Sequence, residues 1–278
     1  WSGMIMALDN VLALFLLPLF GAISDKHMGK RGRRTPFIVV GTVLAAVALV
    51  LALLGQNAMN NKDGFVSLDY HWFEEVTNRK TGEITTEWTF IVDPIDGTAN
   101  YARGINECAI SVALVQGKTP LLGVVYNIFT GEVFSARRGA GARRNGKPIA
   151  VSGRDFAAGL LCTAMSVYNK ALAKTCSDII YDAYMECNDV RRFGGCALEL
   201  CYLAAGQCDL YFEMRVFPWD YAAGYLILSE AGGELTGFGG EVLDFTKATA
   251  LIGANRRDNY ENMRTIVEKH MSAIPYKE

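Results

Sequence analysis

Asp93 and Asp96 bracket Pro94 in the stretch Asp-Pro-Ile-Asp-Gly-Thr, directly after the apolar run Phe90-Ile91-Val92. Read from the sequence, the run is a buried strand ending at Asp93. Pro94 then turns the chain so that both carboxylates aim at one point. Carboxylates held close perturb each other's ionisation, and a bound divalent cation relieves the repulsion. Gly97-Thr98 follows, where a helix is expected to begin. Free amides at a helix start, with a glycine permitting close approach, suit an oxyanion such as phosphate. Cation-binding carboxylates beside a phosphate cradle point to phosphoryl chemistry. The plain alternative is a tight surface turn, because Asp-Pro and Asp-Gly are common turn formers.

Further acids extend the set. Asp220, in Pro-Trp-Asp-Tyr-Ala-Ala-Gly, falls in the first turn of an expected helix, where the helix dipole alone would favour a carboxylate. Glu74 and Glu75 are adjacent in Trp-Phe-Glu-Glu-Val, a pair that reads equally as a solvated face. Glu74, Asp93, Asp96 and Asp220 together suffice for two magnesium ions. The three histidines, His27, His71 and His270, are far apart, and the seven cysteines between Cys108 and Cys208 include no Cys-x-x-Cys pair. A zinc site is therefore not expected, and oxygen ligands favour magnesium, with manganese as the alternative. The scattered cysteines read as reduced core residues of a reducing compartment. A formal charge of −2 gives no sign of a nucleic-acid partner.

The elements that must position these acids fall into two groups. Strands are expected over Ile84–Asp93, Glu107–Gly117, Pro120–Phe129 and Gly131–Arg138, and Asn145-Gly146 marks a hairpin. That is an antiparallel meander. After about residue 155, helices alternate with strands: helices over 169–187, 196–206, 218–233 and 257–270, a short strand and turn over 188–195, and strands over 208–214 and 249–255. The expected soluble part is α+β first and α/β second.

Residues 1–56 differ in kind. Met4–Ile23 and Phe37–Leu54 each have the length and apolarity of a membrane span, and the loop between them carries Lys26, Lys30, Arg31, Arg33 and Arg34. Gly21-Ala-Ile-Ser-Asp25 with Gly32-Arg33-Arg34 and Pro36 resembles a major facilitator signature, closest to the sugar–cation symporter branch. Two helices cannot build a midplane transport site, so the expectation is a fragment without transport activity. Residues 57–65 read as a linker. A cytoplasmic basic loop would put residue 57 onward outside the cytoplasm, against the reduced cysteines. That conflict, and a start at Trp1, lead to the expectation of a chimera joined by accident.

The order Glu-Glu, Trp-x-x-x-Asp-Pro-Ile-Asp-Gly-Thr-x-Asn, Trp-Asp-x-Ala-Ala-Gly is similar to that of the inositol monophosphatase family, magnesium-dependent and lithium-sensitive phosphomonoesterases. The resemblance runs over about 66–275 and includes Arg-Arg-Asn-Gly-Lys-Pro-Ile-Ala-Val-Ser and Arg-Arg-Phe-Gly-Gly. It implies a layered α+β / α/β sandwich, with an α+β metal-binding part over 66–152 and an α/β part over 153–278. It implies that Glu74, Asp93 and the carbonyl of Ile95 hold a first metal and Asp93, Asp96 and Asp220 a second, with a third ion as a variant. Thr98 would orient the attacking water, so that Glu74, Asp93 and Thr98 are the catalytic residues. Substrate would meet Asp96, the Gly97 and Thr98 amides, Gly194, Glu213 and Asp220. The implied substrate is a small phosphorylated polyol, inositol monophosphate first, in the cytoplasm, in a family that is often dimeric. Nucleotide bisphosphate, fructose bisphosphate or histidinol phosphate are the alternatives within this chemistry, and a non-catalytic membrane-tethered sensor the alternative outside it.

Three departures stand out. Phe73 replaces a glycine before the glutamate pair, and Gly195-Cys196 follow Gly194 where Ser or Thr, then Ala, are usual. The family's first two helices have no room between the apolar run and Glu74. One face of the first sheet is therefore expected to be bare and prone to association.

Overall fold

The computed structural model describes residues 70–77, 84–165 and 169–270, with side chains from residue 89 onward. These residues belong to one compact unit, Ser67–Glu278. The expected membrane hairpin, linker and bare outer face concern residues 1–69, outside the described range. No described helix is long and apolar enough to cross a membrane.

The first sheet has seven strands in sequence order: β1 (Tyr70–Thr77), β2 (Ile84–Asp96), β3 (Ala109–Gln116), β4 (Thr119–Asn127), β5 (Val133–Arg137), β6 (Ala142–Arg144) and β7 (Lys147–Ile149). Every neighbouring pair is antiparallel. The meander expected from the turn signals is thus present. Asn145 (φ 50°) and Gly146 (φ 77°) form the β6–β7 turn, which needs two residues at positive φ. The four-residue helix α1 (Thr98–Tyr101) follows β2 directly.

The second sheet has the order β11-β12-β10-β8-β9, built from β8 (Leu160–Ala164), β9 (Asp189–Arg191), β10 (Leu210–Val216), β11 (Glu234–Thr236) and β12 (Thr249–Ala254). β8 pairs in parallel with β9 and β10, whereas β12 runs antiparallel to β10 and β11. Its connections include α2 (Ala173–Glu186), α3 (Cys196–Ala204), α4 (Pro218–Glu230) and α5 (Arg257–His270).

Alternation along the second sheet fixes the layers. Tyr211, Val216 and Leu251 join a core with α3, α4 and the first sheet. Leu210, Phe212, Met214 and Ile252 face the other way, into a core with α2 and α5. The order is therefore sheet, α3–α4, sheet, α2–α5. Strands buried on both faces lose the polar alternation that marks a half-exposed strand. That is why Leu160–Ala164 carries no strand signal in the sequence.

Small residues set the spacing between the first sheet and α4. Ala113, Gly123, Ala136 and Ala142 stand opposite one another on four adjacent strands. A Cβ on Gly123 would lie 2.8 Å from the Ala223 carbonyl oxygen and 3.2 Å from its Cα. The helix backbone therefore rests on this row. Gly123→Val is expected to destabilise the fold by about 3 kcal/mol, at the upper end of overpacking costs, read in urea or thermal melts. α4 is delimited by Pro218 in its first turn and Gly232 (φ 93°) beyond its end.

Candidate active site

β2 does not end at Asp93. It continues through Pro94 to Asp96, correcting the strand boundary read from the sequence. Asp93 stands opposite Ser111 and Asp96 opposite Ala109, so three steps on β2 match two on β3. This is a β-bulge. Pro94 has no N–H to give to a ladder, which makes a bulge its natural place inside a sheet. The extra residue also changes the parity of the strand. Residues i and i+3 of a regular strand point to opposite faces, whereas here Asp93 and Asp96 converge. Ile95 donates its N–H to Asp93 Oδ1 at 2.9 Å, locking the bulge.

Asp220 arrives from the first turn of α4. Its Oδ2 accepts the Phe217 N–H at 2.7 Å, so the residue caps the helix as well as facing the site. Carboxylate oxygens of Asp93, Asp96 and Asp220 lie within 4.8 Å of one another. Asp93 and Asp96 are buried. Burial, then Asp93, then Asp220, push the Asp96 carboxyl well above the usual range, opposed by the Ala197 N–H at 2.9 Å. Three hard oxygen donors, two of which raise the proton affinity of Asp96, suit a divalent cation of the magnesium type.

Gly97 occupies the left-handed region (φ 80°, ψ 36°) as the cap of α1. Its carbonyl accepts the Asn100 and Tyr101 N–H groups at 2.9 and 3.0 Å and the Cys108 thiol at 3.3 Å. The Gly97 and Thr98 amides have no acceptor within so short a helix. Thr98 is exposed. Glu74 lies on β1 opposite Trp88, and its side chain is outside the described range. Gly194 (φ 89°) packs on Asn100, and a Cβ on Gly97 would lie 3.5 Å from the Gly194 carbonyl oxygen. A Cβ on Gly195 would fall 2.9 Å from Asp96 Oδ2, so glycine at this position leaves Asp96 its full approach. Glu213, on β10, accepts the Tyr211 hydroxyl at 2.6 Å, and burial pushes its carboxyl up to about 8. Burial pushes the Cys196 thiol up, and the charges of Glu213, Asp220 and Asp96 raise it further.

Two contributors escaped the sequence reading of roles. Asn100 donates to the Glu107 carbonyl at 2.9 Å and the Phe193 carbonyl at 2.6 Å. Glu199 on α3 is fully buried, and its carboxyl is pushed up to about 7, mainly by burial. An acid inside a nine-residue apolar helix was the available signal.

Glu199 and Glu213 give a pH prediction. Both carboxyls sit above the ordinary 4.5, so between pH 4.5 and about 7 to 8 the folded state keeps protons the unfolded chain has lost. Stability must then fall as pH rises through that window. The metal-free protein is expected to melt several degrees lower at pH 8.5 than at pH 5.5, and Glu199→Gln to flatten the slope.

The sheet–helix–sheet–helix sandwich thus holds an acidic trio beside a glycine turn. The description "Inositol monophosphatase family" matches residues 65–272, and the chain belongs to that family. It is accordingly a phosphoric monoester hydrolase of a generally magnesium-dependent kind. Nus factor SuhB of Vibrio cholerae is 39% identical over 190 residues, covering 68% of this chain and 70% of the relative. Inositol monophosphatase 2 of Solanum lycopersicum is 38% identical over 195 residues, covering 68% and 74%. The chain spans 57% of Escherichia coli Nus factor SuhB, at 40% identity over 153 residues. Among solved structures, the extragenic suppressor protein suhB of Bartonella henselae has a TM-score of 0.61 at 35% identity, covering 65% of this chain and 69% of that one. SaIMPase-II bound to inositol monophosphate has a TM-score of 0.61 at 26% identity, covering 66% and 72%. None of these matches supports the symporter resemblance of residues 1–56, and the family match begins at residue 65.

Proposed function

We propose that this chain hydrolyses a small polyol phosphate monoester, inositol monophosphate first, with magnesium. The observation that carries the proposal is the convergence of Asp93, Asp96 and Asp220 within 4.8 Å, next to the Gly97 turn. The tomato relative named inositol monophosphatase 2 and the inositol monophosphate complex of SaIMPase-II support the substrate class.

Asp93, Asp96 and Asp220 would hold the cation, with Glu74 and the Ile95 carbonyl completing a second position. Bound there, magnesium supplies charge neutralisation to the phosphoryl group and its departing oxygen. The chain's own groups do the rest. The Gly97 and Thr98 amides receive phosphate oxygens, and Thr98 Oγ1 orients the attacking water. Glu213 accepts a ring hydroxyl, and Gly194 leaves room for the ring. The seven free, buried cysteines support a reducing, cytoplasmic setting. A homodimer is the proposed assembly.

One observation favours a second substrate. A SaIMPase-II structure at 25% identity holds 2′AMP, so a nucleoside monophosphate joins the panel. The test is phosphate release by the full chain, with and without magnesium, from inositol monophosphate, 2′AMP, fructose bisphosphate and histidinol phosphate. Release greatest from inositol monophosphate is expected. A folded protein that releases phosphate from none of them in magnesium would overturn the reading.

A further inference from the structure

All nine residues of α3 are buried, and one of them is an acid. Glu199 has no exposed surface. A buried carboxylate is costly unless hydrogen bonds compensate it, so its retention needs a reason. Its bonds supply one. Oε1 accepts the Phe193 N–H at 2.8 Å and the Gly194 N–H at 2.9 Å. Both amides belong to the loop that leads into α3. Oε2 is buried with no hydrogen-bond partner among the described residues.

The same loop is held from its opposite side. Asn100, in the turn after Asp96, donates Nδ2 to the Phe193 carbonyl at 2.6 Å. A Cβ on Gly194 would meet that Nδ2 at 3.1 Å. Three residues on from Gly194, Ala197 donates its N–H to Asp96 Oδ2 at 2.9 Å. Segment 193–197 is thus fastened to the acidic trio through Asp96, to the glycine turn through Asn100, and to the core through Glu199. Gly194, at φ 89°, has many alternative conformations open to it. The two amide bonds to Glu199 select one of them.

We propose that Glu199 is a positioning residue, whose carboxyl oxygen holds the Phe193–Gly195 loop against the Asp96–Asn100 turn and so sets the shape of the ester pocket. The kinetic part of this inference rests on the phosphatase reading above, whereas the loop clamp does not. Glu199 touches neither substrate nor cation. Only the acceptor at Oε1 is required, and a glutamine presents the same acceptor at the same reach.

The experiment compares the full-length parent with Glu199→Gln, Glu199→Ala and Glu199→Asp by two readouts. The first is hydrogen exchange at the Phe193 and Gly194 amides. The second is the separate change in KM and kcat for inositol monophosphate in magnesium. Glu199→Ala is expected to speed exchange at both amides at least tenfold and to raise KM about tenfold, with a smaller fall in kcat. Glu199→Gln is expected to stay within about twofold of the parent in both. Should Glu199→Ala fail to fold, Glu199→Asp carries the test. It keeps the charge but is one methylene too short, so it should behave as Glu199→Ala is expected to. Native exchange and KM in a folded alanine or aspartate variant would overturn the proposal. So would a glutamine variant as impaired as alanine. A parent inactive on every ester removes the phosphatase reading alone, and the exchange result then decides the clamp by itself.

Discussion

Asp93→Asn is expected to cut magnesium-dependent phosphate release by on the order of 10³-fold or more, while the metal-free protein melts at the parent temperature or above it. The two effects have one origin. Asp93 shares a space 4.8 Å across with Asp96 and Asp220. In the absence of a cation, burial first and then the charges of Asp93 and Asp220 make Asp96 hold its proton well above the usual range. Removing the Asp93 charge relieves that conflict. Asparagine keeps an Oδ1 acceptor, so the Ile95 N–H at 2.9 Å retains its partner and the bulge survives. Loss of an outer-shell partner alone costs a metal site about 10- to 100-fold. Loss of a central carboxylate should cost more. The checks are phosphate release and melting curves with and without magnesium. The parent should gain stability from the ion by mass action, and Asp93→Asn should gain almost none. A variant that keeps its activity would remove Asp93 from the site. A variant that unfolds at lower temperature would mean that the trio stabilises the fold rather than straining it.

The acids themselves were legible in the sequence, but the geometry that unites them was not. Asp-Pro-Ile-Asp reads as a strand end followed by a turn, because proline usually stops a ladder. In the fold, β2 absorbs Pro94 as a bulge, and this parity change puts both aspartates on one side. Nothing local distinguishes those outcomes. The register is decided by β3, where Ser111 and Ala109 stand opposite the two acids. Asp220 was correctly placed in a first helical turn, yet its approach to Asp93 depends on how α4 seats on the row of small residues. That row, Ala113, Gly123, Ala136 and Ala142, comes from four strands and has no signature in any one of them. The strands carrying strong alternation or turn signals, β3 to β7, were read well. β8 was missed because burial on both faces removes its alternation, β11 because it is only three residues long, and β1 because Glu74-Glu75 resembles a solvated face. Glu199 was concealed differently. Within Cys-Ala-Leu-Glu-Leu-Cys-Tyr it passes for the polar side of an amphipathic helix, whereas α3 is buried all round. The sequence pattern carries the period of a helix but not how many of its faces are covered.

Gly97→Ala should be the most disruptive single methyl addition in the site, and Gly104→Ala supplies its control. Both glycines have positive φ, 80° and 68°. Both substitutions therefore bear the left-handed cost of an L side chain, about 1–2 kcal/mol. They differ in their surroundings. A Cβ on Gly104 would meet nothing within 4 Å. A Cβ on Gly97 would lie 2.6 Å from the Glu107 carbonyl oxygen. That oxygen cannot rotate away as a side chain would. Glu107 is held through Asn100 Nδ2 at 2.9 Å, and the neighbouring Cys108 thiol is bonded to the Gly97 carbonyl. The turn must therefore open, and with it the Asn100 bridge to Phe193. Gly104→Ala is expected to cost about 1 kcal/mol and to keep phosphate release within about twofold. Gly97→Ala is expected to cost about 3 kcal/mol or more and to lose most of the release, because overpacking adds to the strain. Equal losses in the two variants would show that conformational strain alone governs this turn. A larger loss at Gly97 assigns the difference to the contact with Glu107. The glycine is then required less for its own flexibility than for the closeness of the Gly97 and Glu107 backbones at this turn.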